Sequence, residues 1–204
     1  MKLTMTAFVT LDGVAQAPGG SREDRSGGFL HGGWFIPFVD EDFGRFIVEV
    51  FSRAGAFLLG RRTYEIFAGH WPKVTEPADP VASALNRLPK YVASRNLGQA
   101  SWGPSTPVRD VAEEVARLKR AEGKELQVHG SAALAQTLLA HELIDEIHLV
   151  EAPILLGSGR RLFGNGVVPA AFERVATRTT SKGLLLSILR AAGRPAYAEA
   201  PAPT

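Results

Sequence analysis

The sequence predicts a single α/β domain, and three observations carry that reading. Ala56-Phe57-Leu58-Leu59-Gly60 is a short apolar run bounded by glycine that reads as a buried strand, and Arg61-Arg62-Thr63-Tyr64-Glu65-Ile66-Phe67 reads as the opening of a helix. The same design returns at Leu126-Gln127-Val128-His129, a strand broken by Gly130-Ser131 before a helix over Ala132 to Ala140. Near the end, strands over Phe172 to Thr180 and Leu184 to Arg190 flank Ser181-Lys182-Gly183, a hairpin signal.

A chain of 204 residues is long enough for one well-buried core, and no low-complexity linker divides it. The domain is expected over residues 1–190, followed by an Ala/Pro-rich tail over 191–204 expected to be disordered. An apolar fraction of 45% and a charged fraction of 22% are those of ordinary globular proteins. Nothing approaches the ~18 consecutive apolar residues of a membrane span. Met1-Lys2-Leu3-Thr4-Met5-Thr6 enters a strand pattern directly and lacks the features of a signal peptide. With no cysteine there is no disulfide framework and no thiolate chemistry, so a cytoplasmic location is expected. The lysines and arginines are scattered and form no stripe, which argues against nucleic acid as a partner.

The junction at Gly60 is the first place where the pattern points to chemistry. Free N–H groups and the positive end of the helix dipole make a helix N-terminus a ready anion site. Arg61, Arg62 and the Thr63 hydroxyl add charge-assisted and side-chain hydrogen bonds for a phosphate. The residues equally allow Thr63 to be a cap and the arginines a solvated helix start. At the second junction Gly130 lets a ligand approach the main chain and Ser131 can cap the helix. Two such junctions in one domain suit a dinucleotide.

The remaining elements follow in order. Lys2 to Thr10 alternates and is rich in Val, Thr and Phe, a strand that stops at Leu11-Asp12-Gly13; Asp12 is either a turn residue or the border of a site. Residues 14–39 form a Gly-rich passage of a length usual for lids and binding loops, and Trp34, Phe35 and Phe38 pack either on the core or on a flat ligand. Asp40 can cap a helix running to about Arg53, because Phe43, Phe46, Ile47, Val50 and Phe51 recur at helical spacing. It could instead be a proton donor facing a pocket. A short helix is expected around Val81 to Leu88, a strand over Lys90 to Ala93 ending at Ser94-Arg95-Asn96, a helix over Val111 to Ala121 and a strand over Ile147 to Pro153. Gly157-Ser158-Gly159 lacks a following helix and is no Rossmann fingerprint, and the five histidines show no pairing of the kind zinc needs. No nucleophile elbow or Walker loop is present.

Five of these pieces, in this order, resemble the dihydrofolate reductase superfamily, and most closely the branch related to the reductase domain of the bifunctional riboflavin-biosynthesis deaminase-reductase. They are Thr10-Leu11-Asp12-Gly13, Leu59-Gly60-Arg61-Arg62-Thr63-Tyr64-Glu65, Lys90-Tyr91-Val92-Ala93-Ser94-Arg95, Val128-His129-Gly130-Ser131, and Leu143-Ile144-Asp145-Glu146 through Pro153-Ile154-Leu155-Leu156-Gly157. The resemblance implies a central mixed sheet of about eight strands flanked by helices, with NADPH across the strand ends. It implies coenzyme phosphates at Gly60, Arg61, Arg62 and Thr63, and the adenosine ribose with its extra phosphate at Ser94 and Arg95. The pyrophosphate would lie at Gly130, Ser131, Ala132, Ala133 and Leu134. Folate-reducing members have a Gly-Gly with a cis bond where this chain has His129-Gly130, and their helix-start acid comes one residue earlier than Asp40. The implied activity is hydride transfer to a planar small-molecule heterocycle, pterin-like or like a pyrimidine riboflavin precursor. Asp40 is then the candidate proton donor, and Asp12, Trp34, Tyr64, Phe67 and Trp71 are the candidate substrate contacts. Homodimers occur among such relatives, with Ile154-Leu155-Leu156 as the candidate contribution here. The alternative is a non-catalytic binder of a nucleotide or small heterocycle on the same fold.

Overall fold

The computed structural model describes residues 1–76, 78–98 and 100–200. Eight strands among these residues form one sheet: β1 (Leu3–Thr10), β2 (Ala54–Gly60), β3 (Lys90–Ala93), β4 (Ser105–Val108), β5 (Glu125–His129), β6 (Glu146–Ala152), β7 (Phe172–Thr179) and β8 (Leu185–Ala191). Their order is β4-β3-β2-β5-β1-β6-β8-β7. The first six in this order run parallel, and β8 and β7 are antiparallel additions. The mixed eight-stranded sheet expected from the resemblance is therefore present, with the antiparallel hairpin at its end.

Among the described residues five α-helices flank the sheet: α1 (Glu41–Ser52), α2 (Arg61–His70), α3 (Pro80–Arg87), α4 (Val111–Arg120) and α5 (Ala132–Ala140). Side chains alternate across each strand, so β1 and β2 feed two cores. Leu3, Met5, Ala7, Ala56 and Leu58 join Val115, Leu118, Leu134 and Leu138 of α4 and α5 on one face. Phe57 and Leu59 join Phe43, Phe46, Val50 and Phe51 of α1 and Leu85 of α3 on the other. The spacing that predicts α1 is thus the spacing of its buried face.

Strand β4 is absent from the sequence reading. It pairs only with β3, lies at the sheet edge and contains Pro107, which removes a ladder donor and hides the strand pattern. The predicted domain limit at 190 falls within β8, and pairing continues past it, since Ala171 N–H donates to Gly193 O and Ala192 N–H to Ala171 O, each at 2.8 Å. The tail expectation for residues 201–204 lies outside the described residues. No described helix is long and apolar enough to cross a membrane.

Under α1 the sheet carries a buried polar ladder in place of a greasy one. Glu125, Gln127 and His129 of β5 share a face with Thr4 and Thr6 of β1 and with Glu146 and His148 of β6. Each is paired: Arg53 Nε to Glu125 at 3.0 Å, Lys2 Nζ to Glu146 at 2.8 Å, and His148 Nε2 to Glu146 at 3.0 Å. Pairing offsets the desolvation that burying these groups would otherwise cost.

Candidate functional site

The carboxyl ends of the parallel strands border one cleft of about 1750 Å³. Open α/β sheets bind ligands outside these ends, where helix N-termini also point. Gly60 pairs in register with Ala93, and Ala93 with Val108, so β2, β3 and β4 finish at the same level.

At one end of the cleft two helix starts converge. Gly60 is the N-cap of α2 and supplies no side-chain cap, so the first amides of the helix face the cleft without an internal acceptor. The alternative of Thr63 as the cap is not what forms. Across from it Gly130 (φ +77°) and Ser131 (φ +68°) make the turn into α5, and Ser131 Oγ accepts from Leu134 N–H at 3.3 Å. All described peptide bonds are trans, His129–Gly130 included. Gly60 through Thr63 and Gly130 through Leu134 all line the cleft, as do Ser94 and Arg95. The eleven residues assigned to a coenzyme by resemblance are thus brought to one wall.

Three guanidinium groups border this wall at the ends of three adjacent strands: Arg61 after β2, Arg95 after β3 and Arg109 after β4. Arg61 has only a loose neighbour in Glu65, at 3.5 Å with both side chains more than half exposed. Arg109 is missing from the sequence reading because β4 is missing. The signal would have been an arginine one or two residues beyond each of three successive parallel strands.

Arg62 has a different duty from the one expected. Its Nη1 lies 2.9 Å from Asp24 Oδ2 and 3.1 Å from Ser26 Oγ, and Arg160 binds the same carboxylate. Burial of Asp24 opposes its ionisation, but hydrogen bonds from Ser26, the charge of Arg160 and a hydrogen bond from Arg62 outweigh this and bring its pKa down to about 2. The cluster fastens the 14–39 loop to α2 and to the 157–162 turn, closing one side of the cleft.

The other end of the cleft is apolar. Phe8 stacks on Phe35 at 4.5 Å, and Phe43, Ile47 and Phe51 of α1 face the ends of β1 and β5. Phe67 and Trp71 line the cleft, whereas four other candidate residues are placed away from it. Trp34 is buried in the core, its Nε1 donating to Gln16 O at 2.8 Å. Tyr64 is buried too, its hydroxyl accepting Trp102 N–H at 2.9 Å. Asp12 ties a turn together, accepting from Thr10 Oγ1 at 2.5 Å and Gly157 N–H at 2.8 Å, and the Thr10 bond is the largest cause of its lowered pKa.

Asp40 is the fourth of them. Its Oδ1 accepts Phe43 N–H at 2.9 Å and its Oδ2 accepts Lys182 N–H at 2.8 Å, so it caps α1 and clasps the β7–β8 hairpin turn. The Phe43 amide above all keeps its pKa below the usual value, which is the reverse of what a proton donor needs. The cleft is instead bordered by three carboxyl groups, Glu23, Asp79 and Asp110. Asp79 and Asp110 are helix caps. Glu23 lies in the 14–39 loop, where burial raises its pKa despite a hydrogen bond from Gly19 N–H at 2.5 Å.

This architecture, with its cleft across the parallel strand ends, is the dihydrofolate reductase-like fold. The Enterococcus faecalis dihydrofolate reductase solved with NADP(H) and RAB-propyl shares it at a TM-score of 0.57 and 17% identity over 93% of this chain and 96% of that one. The chain belongs to the RibD C-terminal domain family, whose family model matches residues 1–186. A putative riboflavin biosynthesis protein from Shewanella sp. PV-4 is similar at a TM-score of 0.69 and 22% identity, covering 94% of this chain and 99% of that one. In sequence the chain is 26% identical over 186 residues to the uncharacterized protein YyaP of Bacillus subtilis (strain 168), covering 90% of this chain and 92% of YyaP. Family membership and fold together support a reductase acting on a heterocycle.

Proposed function

We propose that the protein is an NADPH-dependent reductase that transfers a hydride to a planar heterocycle, pterin-like or like a pyrimidine precursor of riboflavin. The observation that carries this reading is the arginine row, Arg61, Arg95 and Arg109, set beside the meeting starts of α2 and α5. Two helix N-termini suit a pyrophosphate, and additional guanidinium groups suit the extra phosphate that separates NADPH from NADH. The residues fit the coenzyme: Gly60, Arg61 and Thr63 lie at one helix start, where Arg62 is held by Asp24, Gly130 to Leu134 lie at the other, and Ser94 and Arg95 at the neighbouring strand end. The NADP(H) in the Enterococcus faecalis enzyme and the riboflavin-biosynthesis description of the Shewanella protein support the same reading.

When bound, NADPH supplies the hydride. The chain's own groups align the two rings and keep water away: Phe8, Phe35, Phe43, Ile47 and Phe51 form an apolar wall for a flat ring, and Phe67 and Trp71, toward the far end of α2, line the same cleft. Glu23 is the candidate proton source, since burial favours its protonated form and its loop borders the cleft.

Mixing the protein with NADPH and a panel of pterins, flavin precursors and quinoid compounds tests the proposal. Loss of NADPH absorbance with at least one of them is expected. The capping role of Asp40 favours a second reading, a non-catalytic binder, because no acid of α1 faces the cleft. A binder would alter NADPH fluorescence without consuming it. We also assign the protein to the cytoplasm and to a homodimer, to which exposed Leu155 would contribute apolar surface; sedimentation at micromolar concentration checks the latter.

A further inference from the structure

At the apolar end of the cleft one polar group is held in a single chemical form. His129, the last residue of β5, is 8% exposed and stacks on Phe51 with ring centroids 4.6 Å apart and planes at 24°. Phe57 closes on it at 5.7 Å. Two aromatic neighbours leave the imidazole little freedom to turn.

The hydrogen-bond chain behind it fixes the position of its proton. Gln127 Nε2 donates to the backbone oxygen of Val50 at 2.7 Å and to Glu125 Oε2 at 2.9 Å. A backbone carbonyl only accepts, and Glu125 is ion-paired with Arg53, so the nitrogen end of the amide is defined. The oxygen end, Oε1, therefore lies 3.1 Å from His129 Nε2. An amide oxygen only accepts, so Nε2 carries the hydrogen and Nδ1 carries a lone pair. Burial first, and the nearby His148 second, keep the ring neutral, with a pKa of about 3.

Nδ1 faces the cleft. Among the described residues no fully buried side-chain nitrogen or oxygen lacks a partner, and Nδ1 has none, so it must reach the cleft that His129 lines. Phe51 and Phe57 flank the ring, and Phe8, Phe43 and Ile47 line the same cleft.

We propose that Nδ1 of His129 is a fixed hydrogen-bond acceptor that reads an N–H or amino group on the edge of the heterocycle. The cleft then selects neutral, amino-bearing flat rings and rejects rings that present a carbonyl or an alkyl group there. This rests on the reading of the apolar end as a heterocycle site and adds to it the substrate's hydrogen-bonding character. A ring carbonyl against Nδ1 would place two acceptors face to face, and a methyl group would leave Nδ1 unpaired, each a poorer state than the amine.

Two measurements test it. The first is 15N NMR of the histidine-labelled wild-type protein without coenzyme. His129 should show protonated Nε2 and bare Nδ1, unchanged from pH 5 to pH 8; the opposite tautomer, or titration within that range, overturns the proposal. The second compares 2-aminopteridine with 2-methylpteridine, matched in shape, by calorimetry on the wild type and on His129→Phe. The wild type should prefer the amine by about tenfold or more, and the variant should lose that preference. Equal binding of the two probes by the wild type, the same preference in the variant, or no binding of either probe rejects the proposal. NADPH titration, run separately, judges the reductase reading: absent coenzyme binding with the amine preference intact would sink that reading and keep this one.

Discussion

Gly60 lies against Ser131 so closely that a methyl group in place of its hydrogen would stand 2.5 Å from the Ser131 hydroxyl oxygen and 2.7 Å from its Cβ. The two helix starts that border this end of the cleft are therefore in contact through a residue with no side chain. A side chain at position 60 cannot be accommodated without displacing Ser131.

Gly60→Ala is accordingly expected to weaken NADPH binding by about tenfold or more, since a displaced Ser131 disturbs the first turn of α5 as well as that of α2. Titration by coenzyme fluorescence checks this. Gly69→Ala is the control, because a Cβ there meets nothing within 4 Å; it should leave affinity unchanged.

The arginine row gives a prediction about coenzyme choice. Arg95→Ala and Arg109→Ala should each lower NADPH affinity by about tenfold while leaving NADH affinity nearly as it was, as expected for a lost charge-assisted hydrogen bond to a phosphate. Calorimetry with both coenzymes decides it. Equal losses for the two coenzymes would show that these arginines do not read the extra phosphate.

Asp40→Asn should leave turnover within about twofold of wild type, since the side chain faces the 180–182 turn and not the cleft. Its effect should appear in stability. The folded-state pKa is lowered, so the contribution of the carboxylate is present above the ordinary pKa of 3.8 and is lost as pH falls through the folded value. Thermal melts of both proteins should therefore differ at pH 6 and converge in acid.

Glu23→Gln tests the proton source. If the protonated carboxyl delivers the proton, wild-type kcat/KM falls as pH rises through its raised pKa, while the variant is slower and has lost that limb. A variant with an unchanged pH profile would show that the proton comes from elsewhere, such as ordered water.

The Asp24 cluster should govern the loop. Asp24→Asn removes the charge shared by Arg62 and Arg160, and trypsin should then cleave after exposed Arg22 or Arg25 several-fold faster. The sign with pH follows from a folded pKa of about 2 against an ordinary 3.8: the stabilisation is complete above 3.8 and fades as pH falls toward 2. The difference in melting temperature between wild type and variant should shrink over that interval.

The sequence by itself determined the elements whose signals are local. Apolar runs ending on glycine announce β2 and β5, because a buried strand needs a continuous apolar stretch and a helix start needs room for the backbone. Helical spacing announces α1, with Asp40 placed correctly as a possible cap. Tertiary structure alone decided what the isolated polar residues do. Asp40 became a hairpin clasp because the 180–182 turn, some 140 residues later, brings two donors, Lys182 N–H and the Ser181 hydroxyl, to its carboxylate. Arg62 turned to Asp24, and Tyr64 and Trp34 went into the core, because a side chain's partner is set by what folds against it and not by its neighbours in the chain. Arg109 and His129 acquired their places the same way: the first from an edge strand hidden by Pro107, the second from an amide fixed by a carbonyl of α1. Hydrophobic periodicity is a property of a segment, whereas a hydrogen-bond partner is a property of the whole fold.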